Sequence, residues 1–241
     1  SSPVALLWWF ISCFLSLGRV NDGGCRIVAS SCSIDGDVIG LHGTKSDGLV
    51  IKLDSDLKIE WQKCFGGTGN EEFYSIIQAP DGGYAVAGKT SSSDGDVFGL
   101  HGGDDVWVVR LDSGGAILWQ KCLGGALEDL ATTIVQTKDN GYIIAAVTSS
   151  FDGDVVGQHS KTFTDDIWIL KLSEKGDLEW QKCLGGTSID VTNSIVINSD
   201  GGAIIAGYTT SFDGDVLNHK GNAWLVGISD SGNIIWQTSM S

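Results

Sequence analysis

Proline is nearly absent, with 2 residues in 241, and methionine occurs once. Basic residues are also scarce: 15 Lys and Arg stand against 30 Asp and Glu, for a formal charge of −15. A surface of that sign repels nucleic-acid phosphates and anionic membrane faces. Nucleic acid is thereby disfavoured as a partner, and cations are favoured. The six cysteines include no Cys-x-x-Cys pair, which removes the common zinc and redox motifs. Also missing are Gly-x-Ser-x-Gly, His-Glu-x-x-His and a phosphate-binding Gly-Lys-Ser/Thr, so no catalytic residue is assigned. The apolar run from Val4 to Leu17 falls short of the ~18 residues of a membrane span. It also lacks the basic start of a signal peptide, because no Lys or Arg precedes Arg19.

Glycine, by contrast, is abundant. The 34 glycines follow no three-residue period, so they point to many tight turns and an all-β chain, not to collagen. A repeat accounts for them. Trp61-Gln62-Lys63-Cys64 returns at Trp119, at Trp180 and, weakened to Trp-Gln-Thr-Ser, at Trp236. Asp35-Gly36-Asp37-Val38 keeps the same step, recurring at Asp94, Asp152 and Asp213. Four copies fill the chain, at about residues 1–64, 65–122, 123–183 and 184–241. In the second copy, Tyr74 to Ala79 and Tyr84 to Thr90 flank Pro-Asp-Gly-Gly, which is turn chemistry between two strands. Val106 to Leu111 and Ala116 to Lys121 flank Asp-Ser-Gly-Gly and form a second hairpin. Four antiparallel strands per copy of about 60 residues predict a β-propeller of four blades, residues 1–241 forming one domain, with a β-solenoid as the competing architecture. Residues 1–18 are a divergent apolar start, read as the first strand from Phe14 to Arg19 preceded by an irregular extension.

Asp81 to Ser92 (Asp-Gly-Gly-Tyr-Ala-Val-Ala-Gly-Lys-Thr-Ser-Ser), the run Asp104 to Asp112 and the segment Gly115 to Gly125 together resemble bacterial seven-bladed propeller repeats of the SBBP type. The resemblance spans about residues 20–241 and implies a secreted or cell-surface protein; it implies no catalytic residue. Asp112 to Trp119 is similar to the tryptophan-docking turn of quinoprotein propellers, without an identifiable cofactor site. Those propellers have more blades than the copies found here, which leaves a closed ring, a fragment and half of an eight-bladed homodimer all open.

Alternating strands bring the long loop between hairpins and the link into the next blade to one end, which collects acidic groups. Asp35, Asp37, Asp94, Asp96, Asp152, Asp154, Asp213 and Asp215 fit two chemistries. Carboxylates flanking a glycine suit calcium, the candidate cofactor; Asp and Gly equally close tight turns. Glu71, Glu72, His101, Glu128, Asp129, His159 and Asp190 are the candidate ligand face. The four histidines, His42, His101, His159 and His219, recur in equivalent loops, where a solvated or turn-packed imidazole is favoured over a convergent metal site. The tryptophans of the third and last strands are read as inter-blade packing. Cys64, Cys122 and Cys183 read as small buried hydrophobes, and Cys13 and Cys32 as possible cross-strand partners in a disulfide.

These readings define an extracellular or cell-surface binding and display scaffold with a protein or carbohydrate ligand at the acidic end. The alternatives are a carbohydrate-active lyase or glycosidase using that end, and a structural spacer in a larger surface protein.

Overall fold

The computed structural model describes residues 13–33, 38–160 and 164–241. Sixteen strands and no helix occur among them. Blade one is β1 (Cys13–Arg19), β2 (Cys25–Ser31), β3 (Asp47–Leu53) and β4 (Ile59–Phe65). Blade two is β5 (Glu71–Gln78), β6 (Tyr84–Thr90), β7 (Asp105–Leu111) and β8 (Ile117–Leu123). Blade three is β9 (Asp129–Gln136), β10 (Tyr142–Thr148), β11 (Asp166–Leu172) and β12 (Leu178–Leu184). Blade four is β13 (Asp190–Ile197), β14 (Ala203–Thr209), β15 (Ala223–Ile228) and β16 (Ile234–Met240). Each blade is a separate four-stranded sheet with its strands in sequence order, the all-β, propeller-type architecture that the repeat predicts.

Local chemistry explains the recurrence. The tight turn of each first hairpin places a glycine in the left-handed region, as at Gly82 with φ 85°, where a Cβ would be strained. The first strand carries a bulge at the same place in every blade, skipping Tyr74 between Phe73 and Ser75, Thr132 in β9 and Asn193 in β13. An extra residue there increases strand twist. In blades two and three the second and third strands are buried on both faces, with β7 and β11 covered throughout, so they read as continuous apolar runs. The indole N–H of Trp107, fully buried, donates to Gln120 Oε1 at 2.8 Å, and Trp168 donates to Gln181 at 2.7 Å. A buried donor needs such a partner, which Gln120, Gln181 and Gln237 supply in blades two to four, while blade one keeps Gln62 with Leu49 at the tryptophan's place.

The chain divides into two compact units, a division to which the even repeat gives no clue. Unit one is Ser1–Leu100 with Trp107–Cys122; unit two is His101–Val106 with Leu123–Ser241. In unit one, Phe73 of β5 stacks on Trp107 of β7 at 5.2 Å, in a core with Val28, Val50 and Val86. In unit two, Trp224 packs with Ile143, Ile167, Ile195 and Ile205.

Two expectations change at the strand level. The first strand of blade two begins at Glu71 rather than Tyr74, and β9 and β13 likewise begin at Asp129 and Asp190. These acids are therefore strand residues and not part of exposed links. In blade one, Cys13 pairs in register with Ser30, while Cys32 lies beyond β2 as a free, exposed thiol. Asp35 and Asp37, and residues 1–12 of the apolar start, lie outside the described residues.

Candidate functional site

The Asp-Gly-Asp loops of blades two, three and four are tight turns tied to the link that precedes their own blade. In blade two, Gly95 has φ 66°, Val97 N bonds Asp94 O, and Asp96 N bonds Gly66 O at 2.9 Å. Asp94 accepts from Thr68 N at 2.8 Å and from Thr68 Oγ1 at 2.9 Å, and these bonds hold its carboxyl below the usual range. Asp213 makes the same pair of bonds to Thr187, again with a lowered pKa. Asp152 accepts from Ala126 N alone among these groups, because alanine stands where the threonines do. Gly67 belongs to this arrangement by necessity. A Cβ there would lie 2.3 Å from Asp94 Oδ1 and 2.5 Å from Asp94 O, so the doubled glycine of each link is a space requirement.

The second aspartate of each of these three loops turns toward the histidine of the preceding blade. Asp96 Oδ2 accepts from Gly66 N at 3.3 Å and faces His42 Nε2 at 3.5 Å. His42 is held from behind: its own N–H and its Nδ1 both meet Asp47 Oδ2, at 3.0 and 2.7 Å. Asp47 opens β3 and is wholly buried. The same Asp–His–Asp bridge recurs as Asp105, His101 and Asp154, with separations of 2.7 and 3.6 Å. It recurs again as Asp166, His159 and Asp215, at 2.6 and 3.4 Å. The first bridge lies within unit one and the other two within unit two.

A second buried acid backs each bridge. Glu71 accepts from Gly67 N and Thr90 Oγ1, Asp129 from Gly125 N and Ser150 Oγ, and Asp190 from Gly186 N and Ser211 Oγ. All three are wholly buried, so they offer no carboxylate to a surface ligand. The sequence-based assignment of Glu71, Asp129 and Asp190 to an exposed face is corrected on this point. Around Gly124 the two acids approach each other, since a Cβ there would sit 2.6 Å from Asp129 Oδ2 and 2.8 Å from Asp105 Oδ1. One oxygen each of Asp47, Asp105, Asp166 and Asp190 is buried without a hydrogen-bond partner.

Electrostatics follow from this crowding. Burial, with the charge of Asp105 adding to it, lifts Asp129 to about 6. Burial likewise lifts Asp166 to about 6, outweighing its bonds from His159, and raises Asp105. At His42 burial opposes the charged imidazole, but the Asp47 bond and the pull of Asp96 overcome it, so the pKa rises. His101 rises for the same reasons, through Asp105 and Asp154.

The remaining predicted residues scatter. Glu72 is half-buried on β5 and accepts from Tyr74 Oη at 2.7 Å. Glu128 and His101 are exposed and His159 is half-buried. His219 departs from the other histidines: its Nδ1 meets Ser211 O at 2.8 Å, and its ring packs on Phe212 at 4.2 Å. Among the described residues, no three His, Cys, Asp or Glu side chains converge on a point that would hold a metal ion. The Cys64 thiol is buried and pushed up to about 12 by that burial, and Cys183 is raised likewise, the opposite of an activated nucleophile.

A cleft lies beside the His42 bridge in unit one and another beside the His159 bridge in unit two. In unit one the cleft holds about 610 Å³ and is lined by Ile39, His42, Lys63, Asp96 and Ile117. In unit two about 600 Å³ is lined by the equivalent Val156, His159, Lys182, Asp215 and Ile234. Sequence reasoning missed Asp47, Asp105 and Asp166. Their separations of 58 and 61 residues, the same as those of the tryptophans, were the available signal.

Neither a protein-family model nor a curated protein matches the sequence. Solved structures do match. A protein of unknown function from Bacteroides caccae is 12% identical over 94% of this chain and 81% of its own, with a TM-score of 0.37. A mannose phosphorylase from Leishmania mexicana is 12% identical over 93% of this chain and 71% of its own, with a TM-score of 0.46. A Synechocystis apocarotenoid oxygenase variant is 11% identical over 90% of this chain but 46% of its own, with a TM-score of 0.47. Likeness at this level carries no functional residue across.

Proposed function

We propose that this chain is a binding and display scaffold of propeller blades, presented outside the cell, that engages a protein or carbohydrate ligand through its loop end. One observation carries the reading. The recurring polar side chains of the loops are engaged with one another, while the residue after each buried loop valine is apolar and exposed. Ile39, Phe98, Val156 and Leu217 are 68, 67, 67 and 62% accessible. Each follows a buried valine, Val38, Val97, Val155 or Val216, that anchors the loop. Single exposed apolar residues are ordinary, but recurrence at one position in every blade supports a contact surface. The extracellular assignment rests on the resemblance to SBBP-type repeats.

The test is a panel of immobilised acidic and neutral polysaccharides, scored for retention of the protein and for released product. Retention without turnover is expected, lost in a Phe98→Ser/Leu217→Ser variant whose melting temperature stays that of the parent. Product release that depends on Glu128 would overturn the scaffold reading in favour of a lyase or glycosidase. Absence of retention on every member would leave the spacer reading for carbohydrates and confine the scaffold to protein ligands.

A further inference from the structure

A neutral imidazole has one N–H, and in each bridge the near carboxylate claims it. His42 Nδ1 lies 2.7 Å from Asp47 Oδ2, so in the neutral ring the lone pair of Nε2 faces the Asp96 carboxylate at 3.5 Å. Lone pair against carboxylate repels. An imidazolium donates from both nitrogens, and the same contact becomes a charge-assisted hydrogen bond between residues of successive blades. We propose that His42, His101 and His159 are proton-operated clasps: protonation draws the loop of the following blade onto the preceding one, and deprotonation releases it.

Three further observations support this. First, the geometry is repeated, with Nε2 to carboxylate separations of 3.5, 3.6 and 3.4 Å at the three bridges. Second, the chain contains its own control. In blade four the buried acid is replaced by the amide Asn222, which is exposed, and His219 turns to the carbonyl of Ser211 instead of a carboxylate. The histidine of this repeat thus takes the bridging pose where a carboxylate stands on each side of it. Third, the bridge shares its acceptor with the bond that ties the loop to the link preceding its blade, because Asp96 Oδ2 also receives Gly66 N, and Asp215 Oδ2 receives Gly185 N. Losing the imidazolium therefore weakens a contact that the backbone also uses.

The groups facing each imidazole come from several elements. His42 is faced by Asp47 at the start of β3, Asp96 in the loop after β6 and Glu71 at the start of β5, with Lys63 of β4 on the same cleft. His101 is faced by Asp105, Asp154 and Asp129. His159 is faced by Asp166 and Asp215, with Asp190 near Asp166 and Lys182 of β12 on the cleft. Carboxylates outnumber cations around every ring, which is the environment that favours an imidazolium.

Two measurements on the full chain test the clasps. The first is amide exchange at Asp96 and Asp215, whose N–H groups bond Gly66 O and Gly185 O at 2.9 and 2.7 Å. After correction for the intrinsic pH dependence of exchange, protection is expected to fall about tenfold between pH 5.5 and pH 8.5. His42→Gln should abolish that fall at Asp96 and leave it at Asp215, and His159→Gln should do the reverse. His219→Gln should change neither. The second measurement, needed if a Gln variant does not fold, is the titration of the His42 and His101 rings in the unaltered protein by NMR. Both are expected to titrate above the ordinary imidazole range. Protection independent of pH, or His42 and His101 rings that titrate at or below the ordinary imidazole value, would overturn the proposal.

Discussion

Blade four and the three blades before it share one loop and differ at one edge. The Asp213-Gly214-Asp215 turn of blade four keeps the bonds of its counterpart at Asp94, down to the Thr187 cap. The turn is therefore the property of a single blade. What blade four lacks is the outgoing set: Asn222 stands for Asp47, Asp105 and Asp166, and Ser239 stands for Cys64, Cys122 and Cys183. In the first three blades these acids hold the histidines that face Asp96, Asp154 and Asp215 of the next blade, so they belong to the joint between blades. The tryptophan tells the same story. Trp61 lies against Gly115 and donates to Ser113 O at 3.2 Å, and Trp180 lies against Gly232 of the next blade. Trp236 instead covers Gly227 of its own blade and is 43% accessible. Recurrence in a repeat protein thus separates into what builds a blade and what couples blades.

The joint acids yield the largest expected effect. Asp129 and Asp166 titrate near 6 in the folded chain, against about 4 for an unperturbed aspartate. The folded state therefore binds the extra protons, and the stability linked to them is fully present below about pH 4 and is lost as pH rises through about 6. His42 and His101, also raised, act in the same direction at higher pH. Asp139, held to about 2 by Thr137 and Lys171, acts oppositely and loses its contribution only as pH falls below about 4. The melting temperature should peak near pH 5 and fall by ~5–10 °C at pH 8. Asp129→Asn and Asp166→Asn, which remove the buried charge, should flatten that fall. An Asn pair that leaves the profile unchanged would show that the joint acids do not set it.

The tryptophans sharpen the comparison further. Trp180→Ala should destabilise by about 2–3 kcal/mol, since it removes a ring seated between two blades, and Trp236→Ala by about 1 kcal/mol or less. Equal losses in urea unfolding would mean that the blade-four edge is packed as the others are.

The sequence disclosed the blade side of this division and hid most of the joint. Hairpins were legible because turn residues and apolar runs act within a few positions, and the tryptophans of the third strand declared themselves by recurring among apolar neighbours. Glu71, Asp129 and Asp190 were read as link residues because an acid at a strand end resembles an exposed charge. Their burial depends on Gly67, Gly125 and Gly186 donating backbone N–H groups from the preceding link. His42 was read as turn-packed, which holds for its Asp47 contact, but its facing of Asp96 joins residues 54 positions apart. No local pattern encodes such a contact; only the shared spacing of Asp47, Asp105 and Asp166 traces it.

The smallest effect concerns the loops themselves, where the calcium and turn chemistries make different predictions. Both oxygens of Asp94 and Asp213 already accept from threonine N–H and O–H groups, and a cation would have to displace those bonds. A site bound only when folded would add about 2.7 kcal/mol at 100 times its Kd. Melting in chelator and in millimolar calcium is expected to coincide, and a clear rise would reassign the loops to ion binding. The blades supply a finer probe. Asp152 lacks the hydroxyl cap because Ala126 occupies the threonine position. Ala126→Thr should therefore restore one hydrogen bond and stabilise the chain by about 0.5–1 kcal/mol. The opposite exchange, Thr187→Ala, should cost a similar amount. Turn chemistry requires these two changes to have opposite signs in calcium-free buffer, because each moves one hydroxyl into or out of the same cap.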